Sequence, residues 1–300
     1  MAKPICVVPA GDWTGEGVLW HAGEGAVYWT DIRRFLVHRY DPPSGNVRTW
    51  FFGEPVTSLG LTDRPDTLIV ALGSRLILWQ PANDARADFA NPDRSWPRVR
   101  SNDGAPDPAG NFWLGTMENT IAANGTESEM SKERRGRVFR VRPDGSSTVE
   151  RTDIFISNTF VWSPDATRFY NADSIANAIH VFDYDIHSGA IANERPFFVG
   201  YERGVPDGSA MDRDGYIWNA RYDGSCVVRI SPEGKAAGTI ELPVHAVTNC
   251  TFGGLNLKTM YITSAGGGNG AGVGEQFAGG LFAVEMEVPG IPENKFRLAG

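Results

Sequence analysis

The sequence predicts an all-β fold, a six-bladed β-propeller. Three observations predict it: many turn-forming residues, apolar and polar residues that alternate at a period of two, and a unit of roughly 50 residues that recurs six times in 300. The 35 glycines and 19 prolines favour short strands joined by turns over long helices. Four-stranded sheets repeated radially surround a central channel, so residues 1–300 are predicted to be one domain. A pair of irregular β-sandwiches is the alternative fold.

The six repeats follow one pattern: a short apolar strand, a turn of Pro, Asp or Gly, a strand with an aromatic residue, and an alternating strand that ends at another turn. The first repeat reads AVYWTDI followed by FLVHRYDPPSG, and the fifth reads YIWNARYDGSCVVRISPEGK. In chain order the segments with this pattern are 26–45, 67–81, 111–150, 167–189, 216–235 and 259–287. We expect each segment to lie within one blade.

The strand predicted at 138–142 illustrates the period of two. Val138, Arg140 and Arg142 alternate with Phe139 and Val141. Successive side chains of a strand point to opposite faces, so this alternation predicts a half-buried strand with one face in the core.

Pairs of an acidic residue and a glycine mark hairpin turns. Gly145, Gly215 and Gly234 each follow Asp or Glu. Glycine adopts the positive φ that tight hairpins require, so we expect turns between neighbouring strands at these three positions.

Composition excludes several classes of partner. A net charge of −8 argues against nucleic-acid binding, because that affinity depends on Lys and Arg neutralising phosphates. No segment approaches the ~18 consecutive apolar residues of a membrane span, and the first residues lack the apolar core of a signal peptide. Cys6, Cys226 and Cys250 lie far apart, which fits neither a disulfide framework nor a zinc–thiolate site. We expect a cytoplasmic protein without nucleic-acid or membrane partners, and the sequence leaves its oligomeric state open.

Five polar residues lie where the innermost strands of a propeller would begin. They are Glu16, Asn102, Asp103, Asn158 and Asp207. In a propeller these strand starts converge at the mouth of the channel, although the residues lie far apart in sequence. Carboxylate and amide oxygens suit a hard divalent cation such as Ca²⁺, Mg²⁺ or Mn²⁺, so a metal site at the channel mouth is predicted. The alternative is a purely structural role, in which each residue only shapes a turn or caps a strand.

Other motifs are incomplete. The sequence contains no Gly-x-Ser-x-Gly nucleophile elbow and no complete EF-hand loop. Gly266, Gly268 and Ala271 match a nucleotide-binding glycine motif loosely, but no amphipathic helix follows them, so we expect a surface loop there. The charged segment 127–137 mixes both signs and is predicted to be a solvated loop or short helix, with a lid over a neighbouring site as the alternative.

Five ordered motifs across nearly the whole chain carry a resemblance to a known family. They are GEGVLW, RSNDGAPDPAGNFWLGTM, SNTFVWSPDATRFYNADS, PDGSAMDRDGYIWNARYDG and FGGLNLKTMYITSA. In this order they resemble the SMP-30/gluconolactonase/regucalcin family of six-bladed propellers. The resemblance implies hydrolysis of a sugar lactone to the aldonic acid, with one divalent metal at the channel mouth. Ca²⁺ is the favoured ion, and Zn²⁺, Mg²⁺, Mn²⁺ and Fe²⁺ are alternatives.

The resemblance also implies roles for individual residues. Glu16, Asn158 and Asp207 match the family's metal ligands, and Arg100 and Asn102 match positions that face the substrate. Where the family usually has Asn-Gly-Leu, this chain has Asn158-Thr159-Phe160, which places bulkier residues beside a ligand. Glu118 follows the GTM motif and is the candidate for a substrate-contacting acid that some members carry there.

A mechanism follows as a hypothesis. The metal would polarise the lactone carbonyl, and Asp207 is the candidate general base that takes a proton from the attacking water. A variant in which the cation itself activates the water stays open. Arg100 and Asn102 would fix the orientation of the sugar. Trp113 and Phe160 could pack on a sugar face, but for Trp113 a position between blades is the expected one.

Three other functions remain as alternatives at this point. A non-catalytic calcium-binding or regulatory propeller would use the same ligands without a productive pocket. A phosphotriesterase-like hydrolase would keep the site and change the substrate. A protein-interaction propeller would need no metal, and the acids at the strand starts argue against it.

Overall fold

The computed structural model describes residues 3–267 and 275–299, and it confirms a six-bladed β-propeller. Gly268 and Ala271 of the glycine motif lie outside the described residues. Blade 1 contains β2 (Gly15–His21), β3 (Ala26–Asp31), β4 (Leu36–Tyr40) and β5 (Val47–Phe51); blade 2 contains β6 (Val56–Thr62), β7 (Leu68–Leu72), β8 (Leu76–Gln80) and β9 (Ala85–Ala90); blade 3 contains β10 (Val99–Pro106), β11 (Phe112–Glu118), β12 (Gly136–Val141) and β13 (Ser147–Ile154).

The second half of the chain repeats the arrangement. Blade 4 contains β14 (Ser157–Trp162), β15 (Arg168–Asp173), β16 (Ala178–Tyr184) and β17 (Ile191–Val199); blade 5 contains β18 (Val205–Met211), β19 (Ile217–Tyr222), β20 (Cys226–Ile230) and β21 (Ala236–Glu241); blade 6 contains β22 (Val247–Gly253), β23 (Thr259–Ser264) and β24 (Leu281–Glu285). Each of the six repeated segments in the sequence falls within one blade.

The innermost strands line the channel. They are β2, β6, β10, β14, β18 and β22, and each contacts the innermost strand of the next blade, with β22 returning to β2. Because these strands are covered on both faces, β2, β6, β14 and β22 are buried along their whole length. The outermost strands, such as β9, are largely exposed.

Aromatic side chains fill the space between blades. Trp113 of blade 3 is fully buried, and its ring lies 4.7 Å from Phe169 and 6.2 Å from Trp162, both of blade 4. The predicted position of Trp113 between blades is therefore confirmed. Phe160 is also buried, 6.0 Å from the Phe169 ring, and belongs to the same core cluster.

The strand predicted from residues 138–142 is present as β12, but its predicted half-burial is wrong. Val138, Phe139, Arg140 and Val141 are all buried. The third strand of a blade is sandwiched between the two neighbouring blades, so both of its faces meet protein. Arg140 tolerates burial because its guanidinium lies 3.0 Å from the Glu150 carboxylate and over the Trp113 ring.

Buried aspartates anchor tryptophans at the far end of two blades. In blade 3, Asp107 Oδ2 accepts the indole N–H of Trp113 at 2.8 Å, and its Oδ1 accepts the Asn111 amide at 2.7 Å. In blade 5, Asp212 does the same for Trp218, at 3.1 Å. A buried indole needs such a partner, and the aspartate also closes its own turn. Asp107 in the motif RSNDGAPDPAGNFW is therefore structural.

The predicted hairpin turns are confirmed. Gly145, Gly215 and Gly234 have φ values of 80°, 82° and 75°, in the left-handed region that favours glycine. Within the described residues the one helical element is a 3-10 turn at Leu255–Leu257. Nothing helical in that part of the chain has the length and apolar character to cross a membrane.

Both ends of the described chain complete the ring. β1 (Ile5–Val8) pairs with β24 and becomes the outermost strand of blade 6. β25 (Lys295–Phe296) runs parallel to the end of β6 in blade 2. Between β24 and β25 the chain crosses the end of the channel opposite the mouth, where the Ile291 amide donates to Met211 O at 3.2 Å. The channel is thus covered at one end, and the other end is left for a site.

Candidate active site

Each innermost strand carries a β-bulge near its start. The register shifts lie at Glu16/Leu19, Val56/Ser58, Ser101/Gly104, Asn158/Val161, Pro206/Ser209 and Val247/Asn249. A bulge bends the strand and re-aims a side chain. One residue at or beside each bulge forms a set that we call the bulge ring: Glu16, Thr57, Asp103, Asn158, Asp207 and Asn249. Four of these six were predicted as site residues.

Glu16 and Asp207 come together although they lie on blades 1 and 5. Their carboxyl groups lie close enough that each one shifts the pKa of the other. Glu16 Oε2 also accepts the Gly17 amide at 2.9 Å and Asn249 Nδ2 at 3.0 Å. Glu16 is 9% exposed and Asp207 is 7% exposed. The structure therefore brings two predicted ligands into one buried pair.

Burial changes the protonation of these acids. It raises the pKa of Glu16, against the opposing effect of hydrogen bonds from Asn249 and Gly17. It raises the pKa of Asp207 well above its ordinary value, and the neighbouring Glu16 and Asp103 carboxyls raise it further. The pKa of Asp103 rises to about 7, mainly through burial and then through Glu16. Three acids held together in a poorly solvated place repel one another when ionised, and a divalent cation would relieve that repulsion.

Asn158 completes the predicted ligand set. Its Nδ2 donates to Ser174 Oγ at 2.8 Å, and its Oδ1 accepts Asn102 Nδ2 at the same distance. These two bonds fix which end of the amide is the oxygen. Asn102 Nδ2 also donates to Ser157 O at 3.1 Å, so the predicted residues of blades 3 and 4 lie side by side.

The donor set fits a hard divalent cation. Two carboxylates and one amide oxygen are all-oxygen ligands, which Ca²⁺ and Mg²⁺ prefer. Within residues 3–267 and 275–299, no three His, Cys, Asp or Glu side chains are arranged to hold a metal without help from an amide. A metal site in this part of the chain would therefore need a further ligand, and Asn158 is the predicted one.

Polar side chains of the second strands hold the backbone of two predicted ligands. Asn219 Nδ2 donates to Asp207 O at 3.2 Å, and Asn219 Oδ1 accepts Arg221 Nη1 at 3.1 Å. In blade 4, Asn171 Nδ2 donates to Asn158 O at 2.9 Å. Both asparagines are fully buried. The bulges with Asn158 and Asp207 are thus fixed by amides that the sequence-based predictions missed.

Arg100 lies beside the bulge ring in blade 3. Its Nη1 donates to Ser101 O at 2.8 Å and to Asn102 Oδ1 at 2.9 Å. Its buried Nε has no hydrogen-bond partner among the described residues. Burial lowers the pKa of Arg100 to about 10, so the group stays charged at neutral pH, and Glu127 and Glu16 favour the charged form. Arg100 therefore places a buried positive charge beside the acids of the bulge ring.

Glu118 contacts the loop that follows β11 rather than the bulge ring. Its Oε2 accepts the Ser131 amide at 2.7 Å, and its Oε1 is 3.6 Å from Arg135 Nε. The structure thus engages both oxygens with the loop that follows β11. No hydrogen bond joins Glu118 to the bulge ring among the described residues.

A cavity of about 330 Å³ lies at the mouth end of the blades. Its lining includes Trp13, Arg33, Glu127 and Asp223, which lie in connections between strands, and Tyr222, which ends β19 and pairs with Val205 of β18. Burial raises the pKa of Tyr222 to about 12, and the Asp223, Asp207 and Glu127 carboxylates add to that rise.

The cavity wall is braced by one arginine. Arg33 Nε donates to Gly125 O at 3.0 Å, its Nη1 donates to Gly267 O at 2.7 Å, and its guanidinium lies over the Trp13 ring. Nη1 is also 3.4 Å from Glu127. The charged segment 127–137 contains no helix, which agrees with the predicted loop. Its first residue, Glu127, lines the cavity, which agrees with the alternative of a lid.

The sequence-based predictions missed Asn249, a bulge-ring residue whose side chain both donates and accepts hydrogen bonds. It begins the channel part of β22 in the stretch HAVTNCTFGG, the same strand position that led to the other candidates. Its side chain bonds Glu16 and, through Oδ1, the Cys250 amide at 2.8 Å. The strand-start rule, applied to the sixth repeat, would have found it.

Comparison with known proteins shows which proteins this chain resembles. Residues 14–266 match the family model described as the SMP-30/Gluconolactonase/LRE-like region. Regucalcin of Gallus gallus is 34% identical over 94% of each chain, and a pentonolactonase of Haloferax volcanii is 34% identical over 93% of each chain. A solved regucalcin of Agrobacterium tumefaciens, described as a calcium-binding protein, superposes with a TM-score of 0.91 at 25% identity. The superposition covers 99% of this chain and 98% of that regucalcin.

Proposed function

The chain belongs to the SMP-30/gluconolactonase/LRE-like family, and from that premise we propose that it is a metal-dependent lactonase that opens an aldono-lactone to the aldonic acid. Its relatives include lactonases, and they support a sugar lactonase activity for this chain. The dependence on metal and the aldono-lactone substrate are the proposed part. The observation that carries them is the buried pair of acids Glu16 and Asp207, with Asn158 and the charged Arg100 among the neighbouring polar groups.

Glu16, Asn158 and Asp207 would hold the cation. Ca²⁺ is the first candidate, because the ligands are all oxygen and a solved relative is described as calcium-binding. When bound, the cation supplies Lewis-acid polarisation of the lactone carbonyl and a positive charge that lets Asp207 ionise at neutral pH.

Arg100 and Asn102 would bind and orient the substrate. The charged guanidinium of Arg100 and the amide of Asn102 suit the oxygens of a sugar lactone, and the cavity of about 330 Å³ has room for a five- or six-carbon ring. Hydrogen bonds to hydroxyl groups, together with the brace at Arg33, would hold the lactone carbonyl next to Asp207. Glu118, bonded to Ser131 and Arg135, would act on substrate choice by shaping the loop after β11.

Asp207 would move the proton. As the water oxygen bonds to the lactone carbonyl carbon, Asp207 takes a proton from that water. The tetrahedral intermediate then breaks the bond between the carbonyl carbon and the ring oxygen, and the ring oxygen takes the proton back from Asp207. The product is the open-chain aldonic acid, and the Asp207 carboxylate is regenerated.

The test is acid release from a panel of aldono-lactones, followed with a pH indicator. The protein is first treated with chelator and then supplied with Ca²⁺, Mg²⁺, Mn²⁺ or Zn²⁺ in turn, and spontaneous hydrolysis without protein is subtracted. We expect turnover that chelator abolishes and one or more ions restore. Glu16→Gln should lose the ion and the turnover, whereas Thr57→Val, at a bulge-ring position without a ligand, should lose neither.

The same experiment separates the alternatives. Tight binding of Ca²⁺ without release of acid from any lactone would contradict the proposed catalysis and support a calcium-binding propeller. Turnover of phosphotriesters without turnover of lactones would contradict the proposed substrate class.

A further inference from the structure

Thr159 adopts a backbone conformation that is costly for its residue type. Its φ is +60°, and its side chain is fully buried in β14 between Asn158 and Phe160. The left-handed region is unfavourable for β-branched residues, so a buried threonine there marks a place where the surrounding structure imposes the conformation.

The polar groups of Thr159 reach the blades on either side. Its hydroxyl donates to Asp207 O in blade 5 at 2.6 Å and lies 2.9 Å from Ser209 Oγ. Its backbone N–H lies near the Asp103 carboxyl in blade 3 and opposes the rise in the pKa of that group. One residue next to the predicted ligand Asn158 thus bonds the backbone of a second predicted ligand and lies near an acid beside the pair.

Blade 1 offers an internal comparison. Gly17 follows the ligand Glu16 as Thr159 follows Asn158, and its φ is +53°. Glycine supplies this conformation without strain but has no hydroxyl. Since glycine suffices for the backbone in blade 1, the backbone alone does not require threonine in blade 4. What threonine adds is the bond to Asp207.

We propose that Thr159 is a positioning residue that sets the distance between the metal ligands Asn158 and Asp207. The hydroxyl bonds the bulge of blade 4 to the backbone of Asp207. Ser174 Oγ donates to the carbonyl of the preceding residue, Pro206, at 2.6 Å, so two hydrogen bonds join blades 4 and 5 here. This inference rests on the proposed metal site and deepens it. A hydroxyl that fixes a ligand's backbone acts on metal affinity first and on turnover through it.

The experiment compares Thr159→Val with Thr159→Ser in calorimetric titrations of the chelator-treated protein with Ca²⁺. Valine keeps the shape and removes the hydroxyl, and Asp207 O keeps its bond from Asn219. We expect Ca²⁺ to bind the valine variant about 10- to 100-fold more weakly and the serine variant nearly as well as the wild type. Thr62→Val is the matched control, because Thr62 Oγ1 donates to Thr67 O in blade 2, away from the ligands, and it should leave the affinity unchanged.

The outcomes separate the proposals. Wild-type affinity in Thr159→Val, or equal losses in the serine and valine variants, would overturn the role of the hydroxyl. If the valine variant fails to fold, Thr159→Gly replaces it, since glycine accepts the left-handed backbone, and wild-type affinity there would equally overturn the role. A wild-type protein that binds no divalent ion would overturn the proposed function and this inference with it.

Discussion

Blades 2 and 5 both bend their innermost strand at a bulge near the channel mouth. In blade 5 the bulge presents Asp207, a buried acid that meets Glu16 across the channel. In blade 2 it presents Thr57 and Ser58, both buried; the Thr57 hydroxyl is a long 3.4 Å from Ala71 O, and Ser58 Oγ has no partner among the described residues. The backbone supplies six similar positions around the mouth, and the side chain at each decides whether it becomes part of a site.

The supporting strands differ in the same way. Ser209 of blade 5 pairs with Asn219, whose amide holds Asp207 O. Ser58 of blade 2 pairs with Ala71, and β7, to which Ala71 belongs, is apolar and buried throughout. A buried acid needs polar neighbours to hold its backbone and share its charge, whereas a buried hydroxyl needs only one acceptor. Blade 5 has these neighbours and blade 2 lacks them, which the following predictions test.

The largest effect is expected for Asp207→Asn. The amide has the same shape but cannot take a proton, and loss of a positioned general base lowers turnover roughly 10²- to 10⁴-fold. Initial rates of lactone hydrolysis at saturating cation measure it. Ser58→Ala in blade 2 is the control, and a comparable loss in that variant would show that any buried change at the mouth stops catalysis.

A smaller loss is expected for Asn219→Ala, which gives blade 5 the small residue that pairs with Ser58 in blade 2. Asp207 O then keeps the Thr159 hydroxyl but loses the amide, and Arg221 loses an acceptor. We expect metal affinity or turnover to fall about 10- to 100-fold. Titration with Ca²⁺ and circular dichroism separate loss of positioning from loss of fold, and unchanged affinity and turnover in a folded variant would contradict the supporting role.

The acids of the ring also predict how stability depends on pH in the metal-free protein. The pKa of Asp103 is raised to about 7, so the folded state holds this proton more tightly than the unfolded chain does. The resulting stabilisation is complete below the unfolded pKa of about 4 and is lost as pH rises through about 7. Melting temperatures in chelator should therefore fall between about pH 5 and pH 8. Asp103→Asn should make this fall shallower, and an unchanged slope would exclude Asp103 as its source.

The smallest effect is expected for Thr57→Val in blade 2. The hydroxyl's bond is long and the valine has nearly the same shape, so the free energy of unfolding should change by less than about 1 kcal/mol. Turnover and metal affinity should stay at the wild-type values. A large loss of either would show that blade 2 contributes to the site.

The sequence predicted the blades because their signals are local. Turn glycines, the period of two and the recurring unit depend on neighbouring residues. The strand starts predicted Glu16, Asn102, Asp103, Asn158 and Asp207 at one end of the channel, and the family resemblance added Arg100. The half-burial predicted for β12 was wrong because alternation cannot show that a second blade covers the polar face. Arg140 looks like a surface residue in the sequence and is buried against Trp113.

The supporting residues were harder to predict for a related reason. Asn219 and Arg221 lie within β19. Their hydrogen bonds depend on the preceding strand and on loops of blades 4 and 5, which bring Asp207 O, Asn177 Oδ1 and Gly204 O to them. The contacts of Glu118 depend on the path of the loop to Ser131 and Arg135, which no periodic pattern encodes. Sequence therefore locates ligands at strand starts better than it locates the residues that hold them.

The strand β1 that completes blade 6 has a consequence for assembly. Its pairing with β24 brings the first and last parts of the propeller together, and the bond between Asn249 and Glu16 spans 233 residues across the resulting seam. Contacts so distant in sequence form late and slowly, because closing a long loop costs conformational entropy before the contact repays it. A cation shared by Glu16 and Asp207 would bind only after this seam has closed. Metal binding would then stabilise the closed ring over the open one, and an excess of the ion would increase that stabilisation by mass action.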